Sequence, residues 1–293
     1  MADPVHRTLL ASRAPNRNGF DLARNGVREI VLLTLGWQDL PKAVSVDGAD
    51  PALRMREPVP GILLHVDGGW LLLDTGFNTG LMRDAAFRRR FYGDPIHRAI
   101  LPGPGEPLEE ALAHAGIELS EVHAVGLSHL HLDHAGGLRH FTGVPVHCQR
   151  RELEYGLTVE AERHGIYRVD FDDPKHDWRL ADGQVEVAPG VTAVPTAGHT
   201  PGHQSFVVDL DDSVGGGGYV FAFDAADLSE NIDDDISIGG RIDSTPEECV
   251  EQVRRLKAIA GERSYPLIPG HDPVVWPALT DELAGRFART SGR

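Results

Sequence analysis

The chain has 293 residues with 28 lysines and arginines against 44 aspartates and glutamates, a formal net charge of −16. That balance repels phosphate backbones and anionic lipid surfaces, which argues against nucleic acid and membrane as partners. A content of 41% hydrophobic and 25% charged residues excludes wholesale disorder.

Residues 1–26 are polar and mixed and predict an irregular N-terminal arm, compatible with contacts in a homodimer, ahead of a single domain over 27–293. The start, Met1 to His6, lacks a basic stretch followed by an apolar core, so no signal peptide is expected. Cys148 and Cys249 are too few for a disulfide framework and are expected as reduced thiols of a cytoplasmic protein. The longest apolar runs, 30–33 and 70–73, are far too short to span a bilayer.

Residues 27–35, rich in Val, Ile and Leu, predict a strand, and 36–60, with scattered Pro, Gly and Asp, a loop. Two strands follow at 61–66 and 70–73, joined by the turn Asp67-Gly68-Gly69. Residues 78–106 suggest a short helix and a long surface loop. Arg88-Arg89-Arg90 in that stretch, like Arg254-Arg255 later, suits a solvated face. Residues 107–115 fit a helix, 123–127 and 144–148 buried strands, and 150–156 the start of another helix. Strands are expected at 185–187, 191–194, 205–210, 219–223 and 266–268, with Gly215 to Gly218 as a hairpin tip. Residues 245–260 are the clearest helix: Thr245 caps it, Pro246 opens it, and Glu248 completes a capping box.

The chemistry concentrates in His129-Leu130-His131-Leu132-Asp133-His134. Imidazole and carboxylate are common zinc ligands. Two histidines spaced by one residue at a strand end can point the same way, and a turn can aim Asp133 and His134 at a second ion. Even with 15 histidines in the chain, this six-residue pattern arises by chance in roughly a few chains per thousand. Gly136-Gly137 then permits close packing. Other strand ends deliver Asp74, His199, Asp224 and His271, which an α/β sheet gathers along one edge. His65 and His97 have no such company and suit structural or exposed positions.

Together, the His-x-His-x-Asp-His run, Gly198-His199, the isolated Asp224 and Gly270-His271 resemble the metallo-β-lactamase superfamily over about 62–272. Within it the chain is similar to the N-acyl homoserine lactonase group, on Ser128 to Gly137, Gln149-Arg150, Pro201-Gly202-His203-Gln204-Ser205, Phe223-Asp224-Ala225 and Gly270-His271-Asp272. The resemblance implies a four-layer αββα sandwich and two divalent metal ions, zinc by default. His129, His131 and His199 would hold one ion, Asp133, His134 and His271 the other, and Asp224 would bridge them. Asp74 would support the histidine loop from behind, and His203 matches a position that binds no metal. Ser128 suits a structural role bound to backbone, and Cys148 a core role.

A hydroxide held between two such ions would attack the ester carbonyl of a lactone, and Asp133 would carry the proton to the leaving alkoxide. The same ligands serve thioesterases of the glyoxalase II type, but their basic glutathione-binding residues are not evident after His271. Related β-lactamases lack a bridging aspartate. One departure concerns substrate: lactonases of the group carry a tyrosine three residues after the bridging aspartate, where this chain has Asp227. Trp37, Phe77, Phe91, Tyr92 and Trp276 are candidates for an apolar substrate pocket.

Overall fold

Alternation of apolar side chains along the strands decides how the chain layers. The computed structural model describes residues 26–91, 98–101 and 103–288. The expected N-terminal arm, Gly26 apart, lies outside them, as do Tyr92 and His97. The strands are β1 (Glu29–Pro41), β2 (Arg54–Val66), β3 (Gly69–Leu73), β4 (Arg98–Ile100), β5 (Val122–Gly126) and β6 (Pro145–Gln149). They continue with β7 (Asp177–Ala181), β8 (Val185–Ala188), β9 (Val191–Pro195), β10 (Gln204–Asp209), β11 (Gly218–Phe223) and β12 (Leu267–Pro269). One sheet has the order β4-β1-β2-β3-β5-β6-β7, the other β12-β11-β10-β9-β8.

Successive residues of a strand face opposite sides, and here both sides are apolar. Ile62, Leu64, Leu71 and Leu73 of the first sheet meet Ala193, Phe206, Val208 and Phe221 of the second in a core between the sheets. The alternate residues Leu63, Leu72 and Val125 pack outward with Leu108, Leu112 and Phe171. On the far side, Val207, Val220 and Ala222 pack against Val253, Leu256 and Ala260 of the helix Pro246–Arg263. The result is the expected four-layer αββα sandwich. That helix starts where the sequence indicates: the Glu248 N–H donates to Thr245 Oγ1 at 3.3 Å, and Glu248 Oε2 accepts the Thr245 N–H at 2.7 Å. No helix among the described residues is long and apolar enough to cross a membrane.

Four stretches depart from the sequence reading. The segment 36–60 is not a loop. β1 continues to Pro41, a short helix spans Lys42–Ser45, and β2 begins at Arg54. These polar halves pair with each other (Gln38 with Glu57, Asp39 with Arg56), so the ribbon is held by ladder bonds rather than by an apolar pattern. Within 78–106 there are helices at Thr79–Arg83 and Ala85–Phe91 and the short strand β4 on the edge of β1. A helix at Val275–Ala288 and the strand β7 were not expected. Trp276, Leu279, Leu283 and Phe287 give that helix one apolar face, which is buried in the core between the sheets.

Candidate metal centre

β3 and β5 are parallel, and so are β11 and β12; β9 and β11 are both antiparallel to β10 and therefore share a direction. The residues that follow β3, β5, β9, β11 and β12 thus leave their sheets at common edges. These are Asp74, the 128–134 run, His199, Asp224 and His271. Backbone bonds from the Gly270 N–H to Ala226 O and from the His271 N–H to Asp227 O lock the last two loops together. The overhanging ribbon of β1 and β2 adds Gln38, Glu57 and Pro58. Asp74 and Phe223 have left-handed backbones, φ 55° and 49°. Such conformations are uncommon outside glycine, and here they redirect the chain at the strand ends that feed the site. Gly136 and Gly137 are required by close approach: a Cβ would lie 2.1 Å from Asn78 N and 2.3 Å from Thr75 O.

All seven residues singled out from the sequence come together. Ligating atoms of His129, His131 and His199 lie within 4.8 Å of one another, and so do those of Asp133, His134 and His271. Between the groups, Asp224 Oδ2 is 3.3 Å from His199 Nε2 and 3.8 Å from His129 Nε2. Its Oδ1 is 3.1 Å from His271 Nε2 and 3.3 Å from His134 Nε2. His129 and His134 are fully buried, Asp133 and His199 each retain 7% exposure and His131 is half-buried, so the site meets solvent on the side of these three.

The far side of each ring fixes which nitrogen faces inward. Ser128 Oγ donates to Asp74 Oδ2 at 2.6 Å, so its hydroxyl accepts from His129 Nδ1 at 2.9 Å. His134 Nδ1 donates to Asp74 Oδ2 at 2.7 Å, His199 Nδ1 to Gly240 O at 2.5 Å, and His271 Nδ1 to Pro58 O at 2.8 Å. In the neutral tautomers that these bonds select, four Nε2 lone pairs point into the site. There the Nε2 atoms of His129 and His199 sit 2.9 and 2.7 Å from His131 Nδ1, and His134 Nε2 makes no hydrogen bond. Lone pairs and carboxylate oxygens converging in a buried space repel one another unless a cation lies between them, so the donor set fits divalent ions.

The acid–base preferences divide the rings. Burial pulls His129, His131 and His199 below the ordinary imidazole value, which keeps this trio neutral and able to donate lone pairs. Burial also pulls His271 down, but Asp224 pulls harder and holds it at about 10; carboxylates likewise raise His134. The Asp133–Asp224 side of the site therefore demands positive charge.

Other expectations are answered individually. Ser128 is structural, but through its hydroxyl on Asp74 and His129 as well as its N–H. Cys148 is buried in the core, and both cysteines are free. His65 packs on Trp70. Phe77 and Trp276 are core residues, Trp37 lies beneath the Arg56 guanidinium, and the side chain of Phe91 is outside the described set. His203 is buried with Nδ1 on Thr196 Oγ1 and Nε2 unpartnered, near His129 and Asp224. Sequence reasoning missed Gln38, whose Nε2 donates to Asp133 Oδ2 at 3.0 Å, and Glu57, which accepts from Ser45 at 2.8 Å. It also missed Glu152, which accepts the Leu130 N–H at 3.0 Å and the Gly202 N–H at 2.9 Å, joining two histidine loops. None of these three belongs to a spacing pattern, so only the fold reveals them.

The sequence matches the model of the Metallo-beta-lactamase superfamily over residues 56–271. The chain belongs to this superfamily. Within it, the chain is 31% identical over 224 residues to an N-acyl homoserine lactonase of Bacillus thuringiensis, covering 76% of this chain and 84% of that protein. It is 33% identical over 228 residues to the N-acyl homoserine lactonase AttM of Agrobacterium fabrum, covering 75% and 83%. Among solved structures it is similar to an N-acyl homoserine lactone hydrolase with the product N-hexanoyl-L-homoserine bound at its catalytic metal center. The TM-score is 0.74 at 26% identity, over 85% of this chain and 94% of that one. The superfamily fold is also shared with AidC, a dizinc quorum-quenching lactonase, at TM-score 0.61 and 15% identity, over 84% and 89%.

Proposed function

We propose that this chain is a two-metal hydrolase that opens the ring of N-acyl homoserine lactones, a quorum-quenching activity, and that it works in the cytoplasm. The observation that carries the reading is the convergence of four imidazoles, those of His129, His134, His199 and His271, on Asp224 with their far nitrogens committed elsewhere, and of His131 on two of them. His129, His131 and His199 would hold one ion, Asp133, His134 and His271 the other, and Asp224 both. Zinc suits the nitrogen-rich first position.

Divalent ions bound here would lower the pKa of a shared water and polarise a carbonyl. The protein's own groups do the rest. Asp74 and Ser128 keep His129 and His134 in the tautomers that face inward. Gln38 orients the Asp133 carboxylate on the exposed side of the site. Asp133 is the group placed to hand a proton to the leaving ring oxygen. No side-chain nucleophile takes part.

The test is a proton-release assay with N-hexanoyl homoserine lactone, a glutathione thioester and a β-lactam, each before and after chelation and metal return. The lactone alone should be hydrolysed, reversibly with metal, and Asp224→Ala should lose both metal and activity. Cleavage of the thioester with an intact lactone would reject the substrate, and full activity in chelated protein would reject the mechanism.

A further inference from the structure

Asp227 occupies the place where the lactonase group carries a tyrosine, and the structure gives it a different job. One carboxylate oxygen of Asp227, one of Asp224 and a ring nitrogen of His271 all lie within 4.8 Å of one another, and all three residues are buried. Asp227 is only 4% exposed, and its Oδ1 has no hydrogen-bond partner. His271 Nδ1 is committed to Pro58 O, so the nitrogen available to this group is Nε2, which lies 3.1 Å from Asp224 Oδ1. The Asp227 carboxyl, beside the Ser45 hydroxyl, thus borders the space served by the His134–His271 half of the site. Behind it, Glu57 Oε2 is also buried without a partner. Asp224, for its part, has only histidines as ion-pair partners among the described residues.

A buried carboxylate oxygen without a donor is costly, and a cation at the position shared with Asp224 and His271 removes that cost. We propose that Asp227 is an additional oxygen ligand of the second metal position, beside Asp133, His134, His271 and the shared Asp224. This rests on the two-metal reading above. The two positions then differ in kind. The first has three nitrogens and one shared carboxylate; the second has two nitrogens and three carboxylates. Oxygen-rich sets suit harder ions with more ligands, such as manganese, whereas the nitrogen-rich set suits zinc. The protein would therefore discriminate between its two positions, which a pair of similar sites does not.

The experiment is titration of metal-free protein with cobalt(II) and, separately, with an equimolar zinc–manganese mixture, followed by metal analysis. Asp227→Asn and Asp227→Ala are compared with the unaltered chain, and circular dichroism of each metal-free variant confirms folding. The unaltered protein should bind two equivalents, the second giving the weak visible absorption of five- or six-coordinate cobalt, and should retain manganese beside zinc. Both variants should keep the first equivalent, bind the second about 10- to 100-fold more weakly, show stronger tetrahedral cobalt absorption, and lose manganese. Two equivalents bound by the variants with unchanged affinity and spectrum would overturn the role of Asp227 and leave the two-metal reading standing. Fewer than two equivalents in the unaltered protein would overturn both. Asp227→Asn preserves the shape of the side chain, so the comparison survives if the alanine variant does not fold.

Discussion

Asp74 accepts three hydrogen bonds, from the Ser128 N–H at 2.7 Å, the Ser128 hydroxyl and His134 Nδ1. It orients His134 directly and His129 through Ser128. The Ser128 hydroxyl and His134 Nδ1 share Oδ2 while the Ser128 N–H uses Oδ1, so the single acceptor oxygen of Asp74→Asn cannot serve all three, and its amide would oppose either the Ser128 N–H or the other two donors. We predict a loss of metal affinity of about 10- to 100-fold for Asp74→Asn, with a smaller loss for Ser128→Ala, which frees only His129. Competition with a chromogenic chelator measures both, and unaltered affinity in Asp74→Asn would contradict the orienting role. The left-handed backbone of Asp74 narrows what this position accepts. Aspartate and asparagine tolerate φ near +55°, whereas a β-branched residue there would be strained.

At the scale of elements, the site depends on loops that different strands deliver, and Glu152 joins two of them from the helix Arg150–Gly156. Its Oε1 holds the Leu130 N–H between the two histidines of the motif, and its Oε2 holds the Gly202 N–H just after His199. Gly202 must be glycine, because a Cβ there would lie 2.2 Å from Glu152 N. Glu152→Gln would turn an amide donor toward one of these N–H groups. It should cost roughly 1–3 kcal/mol in urea denaturation and weaken metal binding by the His129, His131 and His199 group, whereas equal stability and affinity would show that the loops hold themselves. What was legible in the sequence follows the same division. Strands with period-2 apolar runs and the capped helix at Thr245 could be read because local pattern and local capping set them. The polar ribbon of β1 and β2 could not, since Gln38 and Glu57 are buried in a strand pair only because they hang over the centre. The seven ligands that the family resemblance implied stood out in motif spacing and at strand ends. Gln38, Glu57 and Glu152 did not, because each acts across at least 12 residues of chain on a partner that only folding brings near.

At the scale of the whole molecule, buried carboxyls tie stability to pH. Burial pushes Asp170 up to about 7, against a hydrogen bond from Asn78 Nδ2 at 2.7 Å and the nearby Arg139; burial raises Glu152 to about 7 as well. Between about pH 4 and 7 the folded chain keeps protons on these groups that the unfolded chain has released. Stability therefore falls as pH rises through that window, by about 1.4 kcal/mol per pH unit for each group at most. Their contribution is fully present below the unfolded carboxyl value near 4 and is exhausted above 7. The general self-repulsion of a chain with a net charge of −16 acts in the same direction. Asp170→Asn isolates one group: the asparagine oxygen still accepts from Asn78, and nothing titrates. The difference in melting temperature between Asp170→Asn and the unaltered protein should move in favour of the variant from pH 5 to pH 8, by an amount equivalent to on the order of 2–3 kcal/mol. Near pH 4, where Asp170 is protonated in the folded chain and its contribution is still nearly complete, the two should melt within about 1 kcal/mol of each other. Parallel melting curves across that range would mean that Asp170 is ionised in the folded protein and that Arg139 and Asn78 outweigh its burial.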